Sequence, residues 1–122
     1  MLVSRIDGHL DVDGARFLAA SVRTHLAACA PLRHTGFHDW YAMTDYDGDA
    51  RVMLMDLVRD ILPRLEAVHI CIGSPGVAFG VKAASLVFPN LSSYVSRASF
   101  DRTLAGTLRR FREHTESAPK SR

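Results

Sequence analysis

This sequence lacks most of the features that would place it outside the ordinary globular proteins. It has two cysteines, Cys29 and Cys71, too few for a disulfide framework. No segment approaches the roughly 18 consecutive apolar residues of a membrane span. The opening MLVSRIDGHLD carries Asp7 and Asp11 and has no apolar run long enough for a signal peptide. The expectation is a reducing cytoplasm, with both thiols free and packed as small hydrophobes. An excess of one charge is also missing: 15 Lys and Arg stand against 13 Asp and Glu, a net charge of +2. Arg5, Arg16, Arg23, Arg33, Arg51, Arg59 and Arg64 are scattered, and the one dense run, RRFREHTESAPKSR, is broken by two Glu. It reads as a solvated helix face and a tail rather than a phosphate-tracking stripe, so no nucleic-acid partner is expected.

What is present is a chain of 122 residues, 48% hydrophobic and 23% charged, enough for one domain with a real core. LVSRI suggests a short strand, and DGHLD a turn or the start of a second. Ala15, Leu18, Val22, Leu26 and Cys29 recur at helical spacing, with Asp11 or Asp13 to cap the helix and Pro31 to end it. A strand is expected from about Gly36 to Met43, followed by an acidic turn. Leu54, Leu57, Val58, Ile61, Leu62 and Leu65 predict a second amphipathic helix, which Pro63 should kink or stop. VHICI, Val68 to Ile72, has the apolar β-branched character of a buried parallel strand. Ser74 and Pro75 then open a helix with Val77, Val81, Ala84 and Phe88 on one face, and Pro89-Asn90 stops it. LSSYV is a short strand, and Ser99 is the expected cap of a last helix faced by Phe100, Leu104, Leu108 and Phe111. Strands alternating with helices imply crossover connections and a largely parallel sheet. The expected domain spans residues 1–113, with a frayed tail at 114–122.

The most unusual stretch is FHDWYAMTDYDGDAR, Phe37 to Arg51, where acids and aromatics surround one Asp-Gly-Asp turn. Asp45, Asp47 and Asp49 alternate as in a calcium loop, with Asp56 at the twelfth place, but Ala50 stands where that loop needs Gly and the twelfth residue is too short for a bidentate Glu. His34 and His38 with Asp39 suggest a transition-metal pair or a metal-assisted hydrolase. On a strand, however, their imidazoles would sit about 13 Å apart, too far for one ion. His69 and Cys71 share a strand face without an orienting third group, and buried packing suits both. Ser74 lies in GSPG, not in a nucleophile elbow. Gly73, Gly76 and Gly80 follow a strand and open a helix, yet they lack the close glycine spacing and the Lys of a phosphate loop. No metal, cofactor or enzymatic activity is expected from these residues. The simplest local reading makes Asp47-Gly48-Asp49 a turn that places acids at the positive end of the second helix, each contributing about 0.3–1 kcal/mol.

RIDGHLDVDGARFLAASV resembles the opening of a STAS domain, the sulphate transporter and anti-sigma-factor antagonist family, on Gly8, Leu10, Asp11 and Ala15. In that family a strand Asp is followed eight residues later by an Asp-Ser-Ser-Gly turn; here Asp39 and Asp47 stand eight apart and Asp47-Gly48-Asp49-Ala50 occupies the turn. VHICI, the Gly-Ser-Pro turn and SFDRTLAGTL fall where the family has its later elements, and DWYAMTDYDGDAR is similar to divergent bacterial STAS-like proteins. The resemblance implies an α/β domain with a four- to five-stranded mixed sheet and about four helices mainly on one face. It also implies a non-enzymatic regulatory module that binds another protein. Where the antagonists carry a phosphorylated serine this chain has Gly48 and Asp49, so that switch is expected to be lacking. The partner-binding surface is expected at Asp39, Trp40, Tyr41, Tyr46, Asp47, Gly48, Asp49 and Arg51, with the aromatics as anchors. On that reading Trp40→Ala or Tyr46→Ala weakens partner capture and leaves the thermal midpoint nearly unchanged. The alternative is a sensor of a nucleotide or lipid, with Gly73, Ser74, Gly76 and Phe79 at the ligand and Phe88 in the pocket wall. An exposed sheet edge would also allow a homodimer.

Overall fold

Residues 1–117 are described by a computed structural model of the chain. In chain order the elements are β1 (Leu2–Arg5), β2 (Gly8–Leu10), α1 (Val12–Ala28), β3 (His34–Trp40), β4 (Met43–Tyr46), α2 (Gly48–Ile61), a 3₁₀ turn (Leu62–Arg64), β5 (Leu65–Ile72), α3 (Pro75–Val87), β6 (Leu91–Tyr94) and α4 (Arg97–Ser117). The main sheet has four strands in the order β1-β3-β5-β6, and β2 and β4 form a separate pair. Every pairing is parallel, so the mixed sheet expected from the sequence is a parallel one with a two-stranded annex.

Alternation along β3 and β5 sorts side chains onto two faces. Phe37 and Cys71 turn toward α4 and pack with Phe100. Val68, Ile70 and Ile72 turn the other way, onto Leu18 and Val22 of α1, Leu57 and Ile61 of α2, and Val77 and Val81 of α3. Three helices thus cover one face and one helix covers the other. A central strand buried on both sides needs apolar residues throughout, which is why LEAVHICI reads as a nearly continuous apolar run. Each large aliphatic side chain buried there contributes about 1.5–3 kcal/mol.

Local signals work where they are chemically specific. Asp11 caps α1, its carboxylate accepting from the Gly14 amide at 2.7 Å. Pro75 occupies the first turn of α3. Gly8 has φ +73°, a conformation that glycine adopts readily, and its N–H donates to Ala42 O.

Four boundaries differ from expectation. β3 starts earlier, at His34, and stops at Trp40; Met43–Tyr46 is a strand of its own, its acids having masked the pattern. Leu65 belongs to β5 rather than α2, because Pro63 tightens the helix end into a 3₁₀ turn that redirects the chain. Ser96, not Ser99, caps α4: its Oγ accepts from the Ser99 amide at 3.2 Å. α4 continues to Ser117, past the expected boundary at 113, while the rest of the expected tail, 118–122, lies outside the described residues. Cys29 and Cys71 are both free.

Candidate functional site

The β2–β4 annex brings His9 against the acidic stretch. His9 Nδ1 lies 2.6 Å from Asp45 Oδ1 and Nε2 lies 2.8 Å from Asp47 Oδ1. A carboxylate on each ring nitrogen calls for two donors, which is the imidazolium form. The hydrogen bonds from Asp45 and then Asp47 accordingly raise the His9 pKa above its ordinary value. Asp47 stands at the N-cap position of α2 with extended backbone, but its side chain makes no capping bond there. The expected capping carboxylate is engaged by His9 instead. Gly48 and Asp49 are exposed in the first turn of α2. Asp56, the supposed twelfth calcium ligand, pairs with Arg59 on the helix exterior.

At the end of β3, Asp39 is gripped by Arg97 from the start of α4. Arg97 Nη2 lies 2.8 and 2.7 Å from the two carboxylate oxygens, and the Tyr41 amide donates to Oδ1 at 3.1 Å. Burial pushes the Asp39 pKa up, but the Arg97 and Tyr41 hydrogen bonds outweigh it and leave the carboxyl below its usual value. The same guanidinium sits over the Tyr41 ring, 5.2 Å from its centroid. Tyr41 is therefore an exposed ring held in place.

The other two expected anchors face inward. Trp40 and Tyr46 are partly buried and packed against the main core. Gly80 lets Tyr46 lie close to α3: a Cβ there would come 2.5 Å from the phenol oxygen. Both aromatics line an apolar cavity of about 120 Å³ between the sheet, α2 and α3. That approaches the roughly 150 Å³ of a leucine-lined cavity that takes up benzene. Its walls include Met43, Leu54, Val58, Val81 and Phe88, with Arg51 the one charged side chain among them. The indole Nε1 of Trp40 is buried without a hydrogen-bond acceptor.

Gly73, Ser74 and Gly76 lie away from this cavity, at the turn into α3. Gly73 and Ser74 border a second hollow of about 210 Å³ with Tyr41, and Ser74 Oγ donates to Thr44 O at 3.1 Å. Phe79 points to solvent, 78% exposed, so it does not wall the cavity; Gly80 and Phe88 do.

His34 and His38 are buried, and the wide separation expected for them is not observed. Gly36 between them has no side chain, and both Nε2 atoms lie within 3.0 Å of where its Cβ would be. His38 Nδ1 pairs with Ser4 Oγ at 2.5 Å. Burial, reinforced by neighbouring positive groups, lowers both histidines to about 4. Among the described residues no three His, Cys, Asp or Glu side chains form a group that could hold a metal ion. Sequence reasoning passed over His9 and Arg97, because only strand register brings His9, and only the placement of α4 brings Arg97, beside their acids.

The arrangement is similar to a crystal structure of an uncharacterized protein of the DUF3478 family, with a SpoIIAA-like fold, from Shewanella loihica PV-4. The TM-score is 0.64 at 12% identity, over 83% of this chain and 82% of that one. No family model matches the sequence, and no curated protein does. Among the described residues no helix is long and apolar enough to cross a membrane. The strand-helix order agrees with the resemblance carried by Gly8, Leu10 and Asp11, and the chain is an α/β domain with a SpoIIAA-like fold.

Proposed function

We propose that this domain is a non-enzymatic regulatory module that takes up a small apolar molecule beneath α2 and α3. The observation that carries the reading is the apolar cavity walled by Trp40, Tyr46 and Phe88. Empty apolar space forfeits dispersion contacts, and a ligand that fits restores them. Nucleotides suit this site poorly, because Arg51 is its one cation and the walls are hydrocarbon. The test is a thermal-shift panel of small apolar compounds and nucleotides. A ligand that binds only the native state raises the midpoint by mass action. A flat response across the apolar compounds would discard the reading.

A second reading, compatible with the first, is a protein-binding face on the outer side of the same segment. It is supported by Tyr41, 46% exposed and held by Arg97, and by the exposed Asp49 beyond it. Residues Met43 to Arg51 then have an inner side lining the cavity and an outer acidic side for a partner. Affinity capture with wild type, Tyr41→Ala and an Asp47/Asp49 double-alanine variant tests it. Equal capture by all of them removes this face.

A further inference from the structure

The outer side of α3 is as apolar as its inner side. Val77 and Val81 are buried in the main core. At 3.6 residues per turn the opposite side carries Pro75, Phe79, Ala83 and Leu86, and Lys82 is the one charged residue of the whole helix. Phe79 is 78% exposed and Leu86 89% exposed. A helix that is apolar all round is normally covered on every side. The hollow at the carboxyl ends of β3, β5 and β6 adjoins this stripe: Pro75 and Ala78 share its wall with Tyr41, Ile72 and Val95. Its volume of about 210 Å³ exceeds the roughly 150 Å³ of a cavity that takes up benzene. A projecting phenyl ring and a hollow that admits one therefore stand side by side on one face.

We infer that α3 is a self-association face, on which a second copy of this chain docks about a two-fold axis and each Phe79 enters the other copy's hollow. Phe79 follows Ala78 directly and stands one turn beyond Pro75. Two α3 helices crossing antiparallel at this turn thus set each ring opposite the other's hollow. The area suits a dimer. Phe79, Leu86, Val95 (74% exposed) and the exposed part of Tyr41 together leave roughly 500 Å² of apolar surface. A standard interface covers about 800 Å² on each partner, and homodimers make about 65% of theirs apolar. A lipid surface fits less well, because Lys82 is the one basic residue that α3 offers to headgroups. The contact is separate from the cavity beneath α2 and α3 and does not depend on its ligand. It covers Tyr41, so a partner held by that ring would bind the monomer.

Sedimentation of the full chain over a concentration series tests this. Wild type is expected to move from 13.5 kDa toward twice that mass as concentration rises. Phe79→Glu should weaken the dimer about thirtyfold or more, as truncating an interface hot spot does. Val95→Lys should act likewise by placing a charge at the mouth of the hollow. Both side chains are exposed, so the thermal midpoint at low concentration should stay unchanged. Mixed together, the two variants should pair with each other: one intact Phe79 meets one intact hollow, and the introduced acid meets the introduced amine. A wild type that stays monomeric at millimolar concentration overturns the inference. Binding of that monomer to vesicles of phosphatidylcholine and phosphatidylglycerol would assign the stripe to a lipid surface instead. A dimer that survives Phe79→Glu unchanged, or variants that do not pair when mixed, overturn it too. Should Phe79→Glu unfold, amide shifts of wild type against concentration decide the matter: changes centred on Tyr41, Ala78, Phe79 and Val95 support the face, and changes centred elsewhere remove it.

Discussion

Arg97 Nη2 reaches both carboxylate oxygens of Asp39, at 2.8 and 2.7 Å, and so ties the start of the last helix to the end of a central strand. Asp39 is the more buried partner, with 14% side-chain exposure against 44% for Arg97. Removing the arginine leaves a carboxylate that burial pushes upward with less to oppose it. Arg97→Gln is expected to destabilise the domain modestly, because solvent screening at the exposed arginine weakens the pair. It should also raise the Asp39 pKa, since the largest of the groups that lower it is removed. In wild type the lowered pKa contributes stability above the unfolded value, lost as pH falls through the folded one. Carboxyl titration by NMR in both proteins checks this, and an unmoved Asp39 would show that the pairing has no energetic weight.

The histidines predict a stability optimum near neutral pH. His34 and His38, lowered to about 4, stay uncharged in the fold while the unfolded chain takes up protons below about 6.5. Between those values stability falls with falling pH, by up to about 1.4 kcal/mol per unit for each histidine. His9 runs the other way. Its pKa is raised, so the clasp on Asp45 and Asp47 is fully present below the unfolded value and is lost as pH rises through the folded one. Urea unfolding across this range gives the profile, and His9→Gln should remove the decline on the alkaline side only.

The three aromatics of the acidic stretch should separate into two groups. Trp40→Ala and Tyr46→Ala each open space beside the core and should cost about 2–4 kcal/mol, lowering the thermal midpoint. Tyr41→Ala removes an exposed ring and should cost under about 1 kcal/mol. The expectation that Trp40 and Tyr46 could be truncated without loss of stability is replaced by this one. Equal midpoints for Trp40→Ala and Tyr41→Ala would contradict the inward packing of Trp40.

Two glycines of the Gly73–Gly80 series should respond with opposite signs. A Cβ on Gly73 collides with the Tyr41 carbonyl, backbone that cannot swing aside, so Gly73→Ala should destabilise by about 1–3 kcal/mol. Gly76, in the first turn of α3, has only Ser74 Oγ within 4.0 Å. Gly76→Ala should stabilise by about 0.4–1 kcal/mol through the unfolded state and helix propensity. Denaturant midpoints measured side by side give the comparison.

The sequence by itself determined the alternation of strands with helices and the largely parallel pairing that alternation implies. Those follow from short-range chemistry: apolar spacing in Leu18, Val22 and Leu26, the Asp11 cap, the Pro75 start, and the unbroken apolar run of the central strand. Only the tertiary structure decided which way the aromatics of the acidic stretch face and which partners its acids take. Trp40, Tyr41 and Tyr46 lie within seven residues and are alike in chemistry, and their separation into wall and surface depends on the packing of α2 and α3. Asp39 meets Arg97 and Asp45 meets His9 across long loops of chain. Such contacts are set by strand register and helix placement, which local periodicity does not encode.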